Sequence, residues 1–184
     1  MCHFPGTQEN MIIKAEIIAQ TYSGEFEERI YDNESAWNSQ SWTTIKFTNE
    51  DYSEWCGIFR GAQKDVAISE KAKSILVLTS DYLYQLNIEN GNLTEIENQP
   101  TYRIVTVAPN GEYILADYYN IVKIEKSISE KSRIKSPIKM DMIEFLNWNG
   151  KVLNLTCEEF TNWTRKPEME LNSENWELKI KNGT

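Results

Sequence analysis

The stretch Trp55-Cys56-Gly57 places a thiol between an aromatic residue and a glycine, and it is where the sequence first suggests chemistry. A dithiol redox centre needs a second cysteine after two intervening residues, to resolve a mixed disulfide, but that position is Phe59. The next cysteine along the chain is Cys157. We therefore interpret Cys56 as a small buried side chain, as free cysteines commonly are. A single reactive thiol, activated by Arg60, is the alternative.

The other residue types that commonly carry out catalysis are too few or too scattered. The single histidine is His3, in a terminal segment, whereas nucleophilic catalysis by serine or cysteine needs a positioned imidazole. Three separated cysteines and one histidine do not provide the clustered ligands of a zinc site, and the sequence has no glycine-rich phosphate-binding motif. The sequence therefore predicts a protein that is not an enzyme and that uses no cofactor and no metal.

Carboxylates and tryptophans are the remaining candidates for a functional site. The stretches EFEERIYDNE (25–34) and NEDYSE (49–54) are dense in acids. A solvated acidic face is the plainer interpretation, and an acidic docking surface for a cationic protein is the functional one. A third alternative is a pair of carboxylates that hydrolyses a glycoside, with tryptophans stacking on sugar rings. We expect the docking surface to consist of Glu25, Glu27, Glu28, Asp32, Glu34, Trp37, Glu50, Asp51 and Glu54; the sugar platforms would be Trp37, Trp42 and Trp55.

The overall charge bears on the partner and the compartment. The 184 residues contain 28 acids and 19 bases, a net charge of −9, and residues 1–60 hold ten of the acids against four bases. This balance argues against a nucleic-acid partner, which needs a basic footprint, and favours a basic protein. No stretch approaches the ~20 apolar residues of a membrane span, and no signal peptide is recognisable. With three widely spaced cysteines, we expect a cytoplasmic protein in a reducing compartment.

An internal repeat supplies the elements that must position these residues. Residues 66–87 align with residues 105–125: Val66, Ile75 and Leu76 match Val105, Ile114 and Leu115 at a spacing of 39. Each unit has the pattern of strand, tight turn, strand, short turn and strand, and the second unit carries Asn110-Gly111, a preferred hairpin turn. The two units therefore predict consecutive antiparallel meanders.

The remaining sequence is less regular but is also rich in strand patterns. A weaker third copy starts at residue 142 and includes Asn149-Gly150. Before the repeats, residues 11–22 and 24–33 predict a hairpin joined at Ser23-Gly24, and SWTTIKFT predicts an alternating strand. Only residues 11–22 and 49–59 could form a short helix. The basic, serine-rich segment 126–139 predicts a mobile loop.

The two aligned units resemble blades of a β-propeller, with the general pattern V-x-x-S/A-P-D/N-G-x-Y/F-I-L. The resemblance implies an all-β protein built mainly as an antiparallel meander of blade-like sheets, a small or incomplete propeller, and it implies no activity. We expect one β-rich domain over residues 1–184, with a disordered tail over 1–10 and repeats near 62–98, 101–126 and 140–180. A closed ring of four blades and an open stack of sheets are both compatible with this length, and the poor alignment of the first segment favours the open form.

These observations favour a protein-binding module. By type and composition alone, a small acidic protein without catalytic residues is similar to a bacterial toxin-immunity protein, which would neutralise a cognate basic toxin through its acidic face. The alternatives are a carbohydrate- or small-ligand-binding β-domain and a structural subunit of a larger propeller-like assembly. The last of these would form a homodimer through its sheet edges.

Overall fold

Four four-stranded sheets make up the architecture in the computed structural model, which describes residues 10–22, 24–162 and 164–181. The strands of the first sheet are β1 Ile12–Ile18, β2 Glu27–Tyr31, β3 Trp42–Asn49 and β4 Glu54–Arg60. Those of the second are β5 Gln63–Ser69, β6 Ser74–Thr79, β7 Tyr82–Asn87 and β8 Leu93–Asn98. Those of the third are β9 Ile104–Val107, β10 Tyr113–Ala116, β11 Ile121–Ile124 and β12 Lys131–Arg133. Those of the fourth are β13 Met140–Asn149, β14 Val152–Glu159, β15 Glu168–Asn172 and β16 Leu178–Ile180. The described residues contain no helix, so the all-β prediction is confirmed and both short-helix alternatives are wrong.

The second sheet is buried on both faces because its neighbours cover it on either side. Every residue of β6 is buried, and its side chains alternate between two hydrophobic clusters. Ile75 and Val77 join a cluster shared with the first sheet, whereas Leu76 and Leu78 join a cluster shared with the third. Since successive side chains of a strand point to opposite faces, a continuous apolar run is what a strand between two sheets requires.

The four sheets follow one another in a row. A third hydrophobic cluster joins the third sheet to the fourth, with Ile114 and Ala116 packing against Leu153 and Leu155. Along the inner edge, β1 contacts β5 and β5 contacts β9. Among the described residues, no hydrophobic cluster joins the first sheet to the fourth. Each end sheet therefore has an outer face that no other sheet covers through a hydrophobic core, and the blade-like repeats form an open row.

The first sheet has a different strand order from the other three, which are simple meanders. Its order is β1-β3-β4-β2, and β2 pairs in parallel with β4, from Glu27 opposite Trp55 to Tyr31 opposite Phe59. The predicted hairpin between residues 11–22 and 24–33 is therefore wrong. The side chains of β2 explain its position: the Tyr31 ring stacks on Phe59 at 4.4 Å, and the Tyr31 hydroxyl donates a hydrogen bond to the Gly91 carbonyl.

The predicted loop over 126–139 and the predicted tail over 1–10 have different outcomes. The segment 126–139, predicted to be a loop, contributes β12, which completes the third sheet beside β11 and carries an ion pair between Lys131 and Glu97 (2.6 Å). Its three residues are polar and too few to show a pattern, so nothing in the sequence indicates a strand here. The predicted tail over 1–10 lies outside the described residues except for Asn10, and so does His3.

Candidate functional site

The outer face of the first sheet brings together side chains from three neighbouring strands. Because side chains alternate along each strand, β4 directs Trp55 and Phe59 toward the second sheet and Cys56 and Ile58 away from it. The register places Cys56 beside Lys46 of β3 and Glu28 of β2. We call this surface the outer face.

Cys56 is fully buried within the outer face. Burial, followed by the negative charge of Glu28, raises the pKa of the thiol, and the opposing effect of Lys46 does not compensate. Arg60, the residue that could have activated the thiol, instead forms an ion pair with Asp32. The reactive-thiol alternative therefore has no physical basis in this geometry, and Cys56 packs as a small apolar side chain.

The nine predicted docking residues fall into two groups at opposite ends of the first sheet. One group surrounds the start of β2 and the turn between β3 and β4, and consists of Glu25, Glu27, Glu28, Glu50, Asp51 and Glu54. The other follows the end of β2 and consists of Asp32, Glu34 and Trp37. With about 3.3 Å per residue along β4, the two ends are roughly 20 Å apart. The structure therefore does not unite the nine residues in one patch.

Three of these carboxylates are engaged in interactions that hold the sheet together. Arg60 donates to Asp32 through Nε (3.0 Å) and through a terminal nitrogen (2.7 Å), and this bidentate contact lowers the pKa of Asp32. Hydrogen bonds from Asn10 and Ser53 lower the pKa of Asp51 to about 2 and fix the turn between β3 and β4. Glu54 pairs with Lys46 at 3.0 Å. These three acids therefore have structural roles.

The other carboxylates are more weakly held. Glu28 accepts a hydrogen bond from the Thr21 hydroxyl at 3.2 Å, and Glu25 accepts one from the backbone of Tyr22 at 3.3 Å. Glu27 pairs loosely with Arg29, at 3.4 Å. Since long contacts between exposed groups contribute little, Glu25, Glu27 and Glu28 are available to a partner. Glu28 lies on the outer face, and Glu25 and Glu27 lie beside it at the start of β2 or in the preceding turn; we call these three residues the acidic end.

A groove of apolar side chains lies next to Glu28 on the same face. Ile18, Ile30, Trp42 and Ile58 line a cavity of about 410 Å³, and Glu28 contributes to its wall. Ile30 is 70% exposed, and Trp42 is 42% exposed with the Arg60 guanidinium 3.6 Å from its ring centroid. We call this cavity the outer groove. This groove is not predictable from the sequence, because nothing in ERIYD shows that Ile30 faces away from the core while Tyr31 faces toward it.

The tryptophans do not form the sugar-binding platform that the sequence suggested. Trp55 is buried under the Arg29 guanidinium, which lies 4.3 Å from its ring centroid. The ring of Trp42 is contacted by Arg60. Trp37, which is 77% exposed, lines a separate cavity of about 220 Å³ together with Asp81 and Tyr82. The three rings therefore have different environments and share no common surface.

No group of three or more His, Cys, Asp or Glu side chains in the described residues could hold a metal ion. A helix long and apolar enough to span a bilayer is also not found in the part of the chain that the structure describes.

No family model matches this sequence, and no curated protein does. Among solved structures, the N-terminal domain of Nup159 is similar over 66% of this chain and 34% of that one, with 10% identity and a TM-score of 0.45. The WD40 domain of SCAP from fission yeast is similar over 95% of this chain and 49% of that one, with 10% identity and a TM-score of 0.43. The chain thus spans about a third and about half of the length of these two structures, and the description of the fold rests on its own four sheets.

Proposed function

We propose that this protein is a non-enzymatic protein-binding module that docks its partner on the outer face of the first sheet. The observation that carries the proposal is the exposure of Ile30 and Trp42 in the outer groove, on a sheet face without a covering sheet. Exposed apolar surface with a polar rim is typical of interaction sites. Aromatic anchors in such grooves commonly provide much of the binding energy.

The chemistry of the partner follows from the charges beside the groove. Glu28 lines the groove, and Glu25 and Glu27 lie close to it along the same strand or the preceding turn. These carboxylates favour a basic protein segment that inserts an apolar side chain into the outer groove. Complementary charge accelerates association and selects the partner. A cytosolic immunity protein that blocks a basic toxin is the finer form of this proposal, and its support is the acidic composition.

The experiment that tests the proposal has two stages. The tagged protein is used to capture partners from lysate of its native cells at low and high salt, and a captured basic protein is then purified for affinity measurements. We expect Ile30→Ser to weaken binding by about tenfold or more, as for a central interface residue. The triple variant Glu25→Gln, Glu27→Gln, Glu28→Gln should slow association and flatten its salt dependence.

A charge-matched control separates the acidic end from the net charge. The variant Glu70→Gln, Glu130→Gln, Glu177→Gln removes three exposed carboxylates elsewhere in the chain, so its association rate should stay close to that of the wild type. If Ile30→Ser leaves the affinity unchanged, or if both triple variants have the same effect, the outer face is not the docking surface.

A structural subunit is the second candidate function, and the uncovered outer faces of the two end sheets favour it. In this case a second copy of the chain would cover the outer groove. Sedimentation velocity at increasing protein concentration tests it: a dimer that dissociates in the Ile30→Ser variant supports a subunit role, whereas a monomer at all concentrations contradicts it.

A further inference from the structure

A second cavity, of about 510 Å³, lies at the junction of the third and fourth sheets, away from the outer face. Its walls are the turn between β10 and β11, the segment that links β12 to β13, and Phe160 at the end of β14. The backbone N–H of Phe160 donates to the Lys139 carbonyl at 2.9 Å, which ties two of these walls together. We call this cavity the junction cleft.

The charge of the junction cleft is opposite to that of the whole protein. Arg133 and Lys139 are exposed cations that line it, and neither forms an ion pair with a described carboxylate. No carboxylate of the described residues lines it. An unpaired pair of cations at one cavity in a protein of net charge −9 creates a local attraction for an anion.

The acids closest in sequence to the cleft are already engaged, and among them Asp141 accepts a hydrogen bond from the Met142 backbone N–H at 2.8 Å. Asp117 accepts hydrogen bonds from the backbone N–H groups of Tyr119 (2.6 Å) and Asn120 (2.7 Å), which fixes the turn that carries Tyr119. Glu159 pairs with Arg165 at 3.0 Å, and Glu158 pairs with Lys166 at 2.6 Å. Arg133 and Lys139 therefore keep their charges available to a ligand.

The rest of the cleft is apolar and aromatic. Tyr119 and Phe160 are about half exposed, and their rings meet edge to face with centroids 6.1 Å apart. Ile134 and Met140, which are buried, form the base. Aromatic rings at the rim offer edge and face contacts to a planar ligand, and a buried apolar base favours a ligand body without charge.

We propose that the junction cleft binds a small organic carboxylate whose body is aromatic. The carboxylate pairs with Arg133, whose planar guanidinium can donate two parallel hydrogen bonds, and with Lys139. The ring of the ligand packs against Tyr119 and Phe160 above the apolar base. The volume of the cleft lies in the range typical of small-molecule sites. This site is distinct from the outer groove and has the opposite charge preference.

Three probes of nearly equal size and different charge test the proposal on the full chain: indole-3-acetate, indole-3-acetamide and tryptamine. Binding is followed by the chemical shifts of backbone amides in ¹H–¹⁵N spectra. Indole-3-acetate should give saturable shifts at Tyr119, Asn120 and Lys139. The neutral amide should bind at least about fivefold more weakly than the acetate, and the tryptamine cation should not bind. Equal binding of the acetate and the amide would overturn the proposal.

Variants at the two cations complete the test. Arg133→Gln and Lys139→Gln should each weaken binding of indole-3-acetate by about fivefold, because each removes one charge-assisted contact. Lys135→Gln is the matched control: Lys135 is an exposed cation of the same segment that does not line the cleft, and its removal should change the affinity less than twofold. If all three variants behave alike, general charge attraction explains the binding and the site does not exist as described.

Discussion

The outer faces of the first and fourth sheets occupy equivalent places at the two ends of the row, but their side chains differ. On the fourth sheet, buried Leu153, Leu155 and Cys157 alternate along β14 with half-exposed polar residues such as Asn154 and Thr156. This is the alternation of an antiparallel sheet with one face in water. On the first sheet, the corresponding outer positions include Ile18, Ile30, Trp42 and Ile58.

This difference supports the proposal that the first sheet carries the docking surface. Along β14 the outer positions of the fourth sheet are polar, and the exposed apolar residues of this sheet, Met142 and Leu146, lie at the bulges of β13. The outer groove of the first sheet exposes apolar area that the same alternation could have replaced with polar side chains at no cost to the core. An end face that keeps such residues is suited to contact with another molecule, and this contrast is the basis of the function proposed above.

The largest expected effect is the difference in stability between substitutions on the inner face and on the outer face of the first sheet. Phe59 is fully buried and contacts the rings of Tyr31, Phe47 and Tyr84. Phe59→Ala should lower the free energy of unfolding by about 3–5 kcal/mol, from lost burial and the cavity left behind. Ile30→Ala, on the outer face, should change it by less than about 0.5 kcal/mol. Urea unfolding followed by circular dichroism measures both.

The free energy of unfolding of the Ile30→Ala variant decides whether the outer faces of the two end sheets differ in role. If Ile30→Ala destabilises the protein by as much as a core substitution, the outer groove is part of the core, and the two end faces do not differ in role. A small loss at Ile30 together with a large loss at Phe59 would show that the groove residues are not retained for stability.

Two Asn-Gly turns allow the packing of an inner sheet to be compared with that of an end sheet. Gly111 (φ +85°) lies where the third sheet meets the second, and a Cβ at this position would collide with the Lys71 side chain. Gly150 (φ +57°), in the hairpin of the fourth sheet, has open space around it. Both substitutions to alanine should lose about 1 kcal/mol from the positive φ, and Gly111→Ala should lose a further ~1–2 kcal/mol from overpacking.

Thermal unfolding of the two glycine variants gives the measurement, since the backbone penalty is common to both. The difference in their free energies of unfolding isolates the contact between neighbouring sheets. Equal losses would mean that the turn of an inner sheet is as free as that of an end sheet, contrary to the close packing between residues 69–73 and 108–111.

The sequence predicted the middle of the row well because its information there is local. Strands β5–β7 and β9–β11 are connected by short turns, so alternation and the Asn110-Gly111 signal were enough to indicate meanders. The position of β2 depends instead on contacts between distant residues, such as the stacking of Tyr31 on Phe59. Strand β12 is three polar residues long, and only pairing with β11 defines it.

The candidate site was predicted only in part for the same reason: its geometry depends on contacts between residues that are distant in sequence. Composition identified the acids of the first sixty residues, but it could not show that Asp32 and Asp51 are used within the fold or that β4 separates the nine residues into two groups. Ile30 was not selected, because its exposure depends on which face of β2 turns toward Phe59. The acidic end and the outer groove become one surface only once the parallel β2–β4 pairing is known.

The smallest expected effect is a difference in stability at low pH between the first sheet and the fourth. The pKa of Asp51 is lowered to about 2 by hydrogen bonds, and the pKa of Asp32 is lowered by Arg60. A carboxylate with a lowered pKa in the folded state stabilises that state above its ordinary pKa. This contribution is lost as the pH falls from about 4 toward 2. We therefore expect acid to loosen the first sheet before the fourth.

Amide chemical shifts recorded during an acid titration, with β3 and β4 compared with β14 and β15, measure this effect. Asp51→Asn keeps the shape of the side chain but cannot titrate, and its amide can still accept from Ser53, so this variant should be less stable near neutral pH and less sensitive to acid between pH 4 and 2. Asp141→Asn, on β13, serves as the control and should leave the order of loosening unchanged. If β14 and β15 respond to acid before β3 and β4, the hydrogen-bonded carboxylates of the first sheet do not determine its stability in acid. The two end sheets would then differ only in their outer side chains.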